Sequence, residues 1–282
     1  HLKNGNFGFP RLPFFVLMAR FEPTLIYFGL LLMIELIADI GLLELLLIWS
    51  VVVFASILRS FTGFGFALTA VPVFALFLTP LESVVLSAAL TLTSNLIGVR
   101  NYWGIVPLKP MVPLVFMAII GTAIGTAILS FISTAQFQLW AGISVIIACV
   151  VLMFFKPTTR RVSPLLTSFT GLLSGLMNGA LAIPGPPMII YVMFTEPVPE
   201  RSRALLITFF LASAAIALVS FGVAGFIQIQ SLWHLLLAFP AMVAGDKIGF
   251  YLFKKYGGQL YRRIAIAGLL AIGVTITLRT LL

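Results

Sequence analysis

Two breaks interrupt a chain that is otherwise almost continuously apolar, and they stand about 120 residues apart. The first is Arg59-Ser60-Phe61-Thr62-Gly63-Phe64-Gly65; the second is Asn178-Gly179-Ala180-Leu181-Ala182-Ile183-Pro184-Gly185-Pro186-Pro187. Backbone N–H and C=O groups facing lipid must be hydrogen-bonded within the protein, so an irregular turn at membrane depth has to be buried or line a cavity. Paired interruptions in matching halves of a chain point to a binding site between the halves. The breaks therefore constrain both the fold and the place where a ligand would bind.

That argument needs a membrane, and the composition supplies one. Of 282 residues, 61% are hydrophobic and 9% are charged, against about 25% charged in soluble domains. Runs such as Met111–Phe131 and Leu139–Phe155 approach the ~20 residues that cross a ~30 Å hydrocarbon core. The first long apolar run starts near Thr24 without a cleavage-site pattern after it, which argues against a cleaved leader. Apolar runs place an extra segment at 24–41. Two sets of five follow, at 43–62, 64–79, 83–101, 110–132 and 136–155, and at 163–183, 186–195, 201–224, 230–253 and 260–280. The breaks join the first two segments of each set, so some of these are expected to be half-helices or a re-entrant hairpin rather than full spans.

The net charge of +9 reads as a topology signal rather than a nucleic-acid signature. Arg100 and Lys109; Lys156, Arg160 and Arg161; Arg201 and Arg203; and Lys254, Lys255, Arg262 and Arg263 fall in one set of loops. The alternate loops near Thr79–Glu82, Ser133–Gln136 and Gln228–Ser231 hold no Lys or Arg. By the positive-inside rule the first set is cytoplasmic. Lys3, Arg11 and Arg20 then put the N-terminus in the cytoplasm. Five crossings per set is odd, so the second set must be inverted relative to the first. Gly65, Glu82, Gly104, Gly121, Gly125 and Gly142 match Gly185, Glu200, Gly225, Gly245, Gly249 and Gly268, with offsets from 118 (Glu82 to Glu200) to 126 (Gly142 to Gly268). The expected fold class is thus an all-α integral membrane bundle of two inverted five-segment repeats with broken helices. Residues 1–42 would form a tail and extra helix, 43–160 the first repeat and 161–282 the second.

Several residues could carry chemistry. A half-helix that begins after a break points free N–H groups and a positive dipole end into the space before it. Pro186 and Pro187 suit a first helical turn; Gly63, Gly65 and Gly185 let a backbone approach a ligand. Arg59 has two readings: an anion anchor facing a cavity, or a side chain snorkelling to the cytoplasmic interface. Ser60, Thr62, Ser174 and Asn178 are neutral donors near the breaks. Thr91, Thr93, Ser94 and Asn95 form a polar cluster on the third segment, with interhelical hydrogen bonding as the plainer role. Asp246 and Lys247 are neighbours on a helix and face different ways, so they should not pair with each other. Asp246 then needs another partner, a proton or a cation; a structural pair is the first expectation and proton coupling the alternative. Glu82 and Glu200 follow Pro80 and Pro199 at helix starts, where negative charge complements the dipole. Gly121-x-x-x-Gly125 and Gly245-x-x-x-Gly249 are patterns for close helix packing. One cysteine, Cys149, and two histidines, His1 and His234, exclude a disulfide framework and a cysteine metal site within the chain. No metal or cofactor is expected, and no catalytic residue, because nucleophiles and acid–base pairs are not clustered.

The first break with Pro72, the run Gly185-Pro186-Pro187-Met188-Ile189-Ile190-Tyr191 and the paired glycines resemble the sulfite exporter TauE/SafE family, the toluene sulfonate uptake permeases, over about residues 43–282. The resemblance implies a secondary transporter of the bacterial inner membrane, with export of sulfite or of organosulfonates such as sulfoacetate. Its expected partners are a small organic or inorganic sulfur oxyanion, the lipid bilayer and, as an alternative to a monomer, a second copy in a homo-oligomer (dimer). Arg59 would offset charge; Ser60, Thr62, Asn95, Asn178 and backbone amides around Gly63–Gly65 and Gly185–Met188 would hold the oxyanion. The rival readings are a carrier or channel for another small anion such as a carboxylate, an intramembrane enzyme and a non-transporting scaffold.

Overall fold

The computed structural model describes residues 41–62, 65–99, 102, 104–106, 109–154, 163–256 and 258–281. The extra segment expected at 24–41, with Glu35 and Asp39, lies outside them apart from Gly41. So do Gly63, Arg100, Lys156, Arg160 and Arg161, and the side chains of Thr62, Lys254, Arg262 and Arg263. The chain divides into two compact units, 1–45 and 46–282. Of the first, the described part is the start of one helix, whose Leu45 N–H donates to Gly41 O at 3.1 Å. The second holds the rest of that helix and the other described helices.

Regular structure among the described residues is helical. In chain order the helices are α1 (Leu42–Thr62), α2 (Phe66–Phe74), α3 (Pro80–Gly98), α4 (Val112–Leu129, after a 3-10 turn at Lys109–Met111) and α5 (Thr134–Phe154). Then come α6 (Pro164–Leu181), α7 (Gly185–Thr195), α8 (Pro199–Val223), α9 (Ile229–Tyr256) and α10 (Gly258–Leu281). Each expected segment of the two sets is present, shifted by a few residues at its ends. Among the described residues six helices, α1, α3, α4, α5, α8 and α9, are long and apolar enough to cross a bilayer. The protein is a polytopic helical membrane protein.

Local chemistry explains where the helices start. Thr79 caps α3: its hydroxyl accepts from the Glu82 N–H, and the Glu82 carboxylate accepts from the Thr79 N–H at 2.9 Å. Ser133 and Gln136 make the same reciprocal pair at the start of α5. Glu200 lies in the first turn of α8. These caps satisfy first-turn donors that no intrahelical carbonyl reaches.

α2 and α7 are short because of what precedes and interrupts them. α2 has 9 residues and contains Pro72; α7 has 11 and opens Gly-Pro-Pro. At ~1.5 Å per residue neither exceeds ~17 Å, so each covers about half of a ~30 Å core. Both are mostly buried. Lipid therefore meets little of their backbone ends, which answers the hydrogen-bonding problem that the breaks pose.

Close helix crossings rest on glycine. On α4, Gly121 and Gly125 face the backbone of α6 at Leu172, Leu176 and Ala180. On α6, Gly171, Gly175 and Gly179 face Leu114, Ala118 and Thr122 of α4. The same contact recurs between α9 and α1: a Cβ added at Gly245 would stand 2.6 Å from Val53 O, and one at Gly249 would press on Ser60 and Ile57. α6 is less apolar than its neighbours because its Thr167, Thr170, Ser174 and Asn178 are buried in protein, while Leu165, Leu166 and Phe169 are exposed. Further contacts join α5 to α10, α3 to α8, α4 to α8 and α3 to α9. α3 is central: eight consecutive residues, Ser83–Leu90, are buried.

Candidate functional site

Both half-helices begin at one cavity. It has a volume of ≈ 30 Å³ and is lined by Gly65–Leu68 from the start of α2 and Ala182–Gly185 from the approach to α7. Arg59 of α1, Ala88, Thr91 and Asn95 of α3, Asn178 of α6, and Phe210 and Ala214 of α8 complete its wall. The two starts touch, since a Cβ on Gly185 would lie 3.2 Å from Leu68 Cδ1.

Gly65 shapes the first start. Its φ of 105° is open to glycine and strained for other residues. The first intrahelical bond runs from Thr69 N–H to Gly65 O at 3.0 Å. The N–H groups of Gly65, Phe66, Ala67 and Leu68 precede it, and all four residues line the cavity. The second start differs. Pro184, Pro186 and Pro187 carry no N–H, which leaves the Gly185 N–H in the equivalent turn. Pro186 and Pro187 are buried and fix the turn rather than supply donors. Backbone amides are expected from the sequence around both Gly63–Gly65 and Gly185–Met188; among the described residues the first start is rich in N–H groups and the second is poor.

Entry to α7 is strained. α6 ends at Ala182, which adopts a left-handed conformation with φ 54° and ψ 25°. For a residue with a Cβ this costs ~1–2 kcal/mol, and Ala182 is 4% exposed. Ala182→Val is expected to destabilise the protein by ~2 kcal/mol or more, because β-branching raises the cost of positive φ. Ala182→Gly is expected to be tolerated. Thermal melting of the two purified variants checks this, and equal melting would contradict it.

Arg59 faces the cavity with its side chain 11% exposed. Nη1 lies 3.3 Å from both Asp246 carboxylate oxygens, and Nη2 donates to Asn95 Oδ1 at 2.7 Å. The Ser94 hydroxyl donates to Asp246 Oδ2 at 2.8 Å. Two consecutive residues of α3 therefore hold the two members of an ion pair that joins α1 to α9. Lys247, next to Asp246, is exposed.

The remaining singled-out residues divide. Asn178 donates to Ser213 O at 2.9 Å and Thr122 Oγ1 at 3.3 Å, so it braces α6 against α8 and α4 beside the cavity. Thr93 bonds back to Ala89 O on its own helix. The buried hydroxyls of Thr91 and Ser174 have no hydrogen-bond partner, and that of Thr91 belongs to a cavity-lining residue. Ser60 donates to Ile57 O and is not among the residues lining the cavity. Arg203 was legible only as a loop cation. Its guanidinium donates to Ser60 O at 2.7 Å and packs over the Tyr102 ring at 5.6 Å. Among the described residues no group of three His, Cys, Asp or Glu side chains could hold a metal ion.

The sulfite exporter TauE/SafE family matches residues 48–276, which include every residue that lines this cavity. The chain belongs to that family. It is a transporter family of the sulfite-exporter type, in line with the chain's two breaks, glycine pairs and apolar helices. No curated protein and no solved structure matches the chain.

Proposed function

We propose that the protein is an alternating-access carrier, and not an enzyme, that moves small sulfur oxyanions across the cytoplasmic membrane of a bacterium, with export as the physiological direction. The observation that carries this reading is the meeting of a fixed guanidinium, Arg59, with the N–H-rich start of α2 in one cavity between broken helices. An oxyanion there would accept from Arg59 and from the amides of Gly65, Phe66, Ala67 and Leu68 at the positive end of the helix dipole. Asn95 positions Arg59; Gly185 lets α7 come close; Pro186 and Pro187 stiffen that approach.

Two inverted repeats, 43–160 and 161–282, supply the moving parts. The five-helix order recurs, with a half-helix second in each set. The fourth helix of each set packs on the first helix of the other through glycine, α4 on α6 and α9 on α1. Rocking one set against the other would expose the central site to each side in turn. The basic connections face the cytoplasm in this arrangement, as does the N-terminus.

Size supports a small substrate. A space of ≈ 30 Å³ is about two to three times what one water requires. It suits sulfite or a one-carbon sulfonate better than a bulky organic sulfonate. The test is thermal stabilisation of the purified protein at fixed ionic strength by sulfite, methanesulfonate, sulfoacetate, an aromatic sulfonate, sulfate and acetate. Stabilisation reaches ~2.7 kcal/mol at a hundred times Kd. The expected result is a shift with sulfite and methanesulfonate and little with the aromatic sulfonate or acetate. No shift with any sulfur anion would overturn the proposal; a shift confined to acetate would favour a carboxylate carrier.

A further inference from the structure

Asp246 is the resident counter-anion of Arg59, and we infer that it and the transported anion take turns on that guanidinium, with one proton moving onto the Asp246 carboxylate as each monovalent anion binds. The inference rests on the carrier reading and adds its coupling. Three features of the pair support it.

First, the contact is loose on the arginine side. A two-nitrogen fork at ~2.7–2.9 Å is the strong geometry for arginine and carboxylate. Here one nitrogen, Nη1, sits 3.3 Å from both oxygens. The second nitrogen is held by the neutral Asn95 amide at 2.7 Å. If the carboxylate releases Nη1, Arg59 keeps its place at the cavity.

Second, the carboxylate has its own support. The Ser94 hydroxyl, which both donates and accepts, reaches Asp246 Oδ2 at 2.8 Å. It can serve the ionised group as donor and the protonated group as acceptor. Each member of the pair thus retains a partner on α3 when the pair opens.

Third, the charges sum in a way that demands a proton. Arg59 and Asp246 together carry no net charge. A monovalent anion added to them leaves −1 at a largely buried pair, with side chains 11% and 26% exposed, which is costly. One proton on an Asp246 oxygen restores neutrality: the O–H bond forms, the contact with Nη1 opens, and Arg59 pairs with the anion. Release reverses each step. No redox partner is needed. Arg203 of α8 and Tyr102, in the connection after α3, are the other titratable groups that act on Arg59. Facing Asp246 are Arg59 from α1 and Ser94 from α3. The described side chains of α10 carry no charge before Arg279.

The experiment uses the full chain in liposomes with labelled methanesulfonate, which stays ionised, so that any coupled proton is carried by the protein. Wild type is expected to accumulate it up to ~10-fold over the outside concentration for a pH gradient of one unit, the limit for one proton per anion; the same cycle runs outward, as export requires, when the inside anion exceeds that ratio. Asp246→Asn is expected to bind methanesulfonate several-fold more tightly, with an affinity that no longer differs between acid and alkaline buffer, and to lose gradient-driven accumulation. Accumulation that survives in Asp246→Asn would overturn the inference. Should that variant fail to fold, calorimetry of wild type in buffers of different ionisation heat decides: about one proton taken up per bound anion supports the inference, and none overturns it. Failure of all sulfur anions to bind wild type would instead remove the carrier reading itself.

Discussion

Arg59→Ala is expected to weaken oxyanion binding strongly and to destabilise the fold, and the two effects can be separated. Losing a hydrogen bond to a charged group costs ~1.5–3 kcal/mol, which is roughly 10- to 150-fold in affinity. The truncation also leaves Asp246 without its cation. Removing one partner of a buried pair costs ~3–5 kcal/mol; the Asp246 side chain is 26% exposed, so the lower part of that range applies. The double variant Arg59→Ala/Asp246→Asn removes the stranded charge. It should melt closer to wild type than Arg59→Ala does, yet still be stabilised far less by sulfite at the same concentration. Arg59→Lys keeps a charge but cannot reach Asn95 and Asp246 as a planar group, and should bind with intermediate affinity. Arg100→Ala, in the connection between α3 and α4, should bind almost as wild type does. Equal loss in Arg59→Ala and Arg100→Ala, or none in either, would refute a central site built on Arg59. Melting curves with and without sulfite for the five proteins make the comparison.

How far the site could be read from sequence depended on whether the governing interaction was local. The breaks were legible because glycine and proline act on their own backbone: Gly65 takes φ 105° and the Gly-Pro-Pro run opens α7. The capping pair Thr79 and Glu82 was partly legible, since its members stand three residues apart. That Asp246 needs a partner followed from its place in an apolar run. That the partner is Arg59 did not, because 187 residues separate them and pattern along the chain carries no information about which helices meet. Arg203 shows the same limit. In sequence it is one more cytoplasmic cation, while the fold turns it back over Tyr102 and toward Ser60. The unequal donor supply of the two half-helices was in the sequence all along, because three prolines in four residues, Pro184, Pro186 and Pro187, remove the N–H groups whatever the fold.

A large loss of stability is expected from Gly175→Leu on α6. Gly175 abuts Ala118 of α4, and a Cβ there would press on that residue's backbone oxygen, Cα and carbonyl carbon. A side-chain clash can be relieved by a rotamer change; a backbone clash can be relieved only by moving one helix off the other. Gly121, Gly125, Gly171 and Gly179 interlock along the same seam, so separation at one point loosens all of them. Ordinary overpacking costs ~1–3 kcal/mol. Gly175→Leu should exceed that range and give a protein that fails to run as a single species after extraction. Gly245→Leu on α9 should behave alike, with Val53 and Ser56 of α1 in the way. Gly268→Ala on α10 is the control. Its added Cβ meets Phe54 Cζ at 3.6 Å, an ordinary contact, and alanine is favoured over glycine within a helix by up to ~1 kcal/mol. It should be neutral or stabilising. The consequence reaches the site, because α6 carries Asn178 and the Ala182 turn while α1 carries Arg59. Opening the α4–α6 seam withdraws the approach to α7 from the cavity, whereas opening the α9–α1 seam also parts Asp246 from Arg59. Gly175→Ala and Gly245→Ala, which add that same Cβ and nothing beyond it, should part the helices by less and should therefore differ in kind. The first should weaken sulfite binding while keeping its pH dependence, and the second should alter the pH dependence as well. Identical pH profiles in both variants would show that the two seams do not act on separate halves of the site.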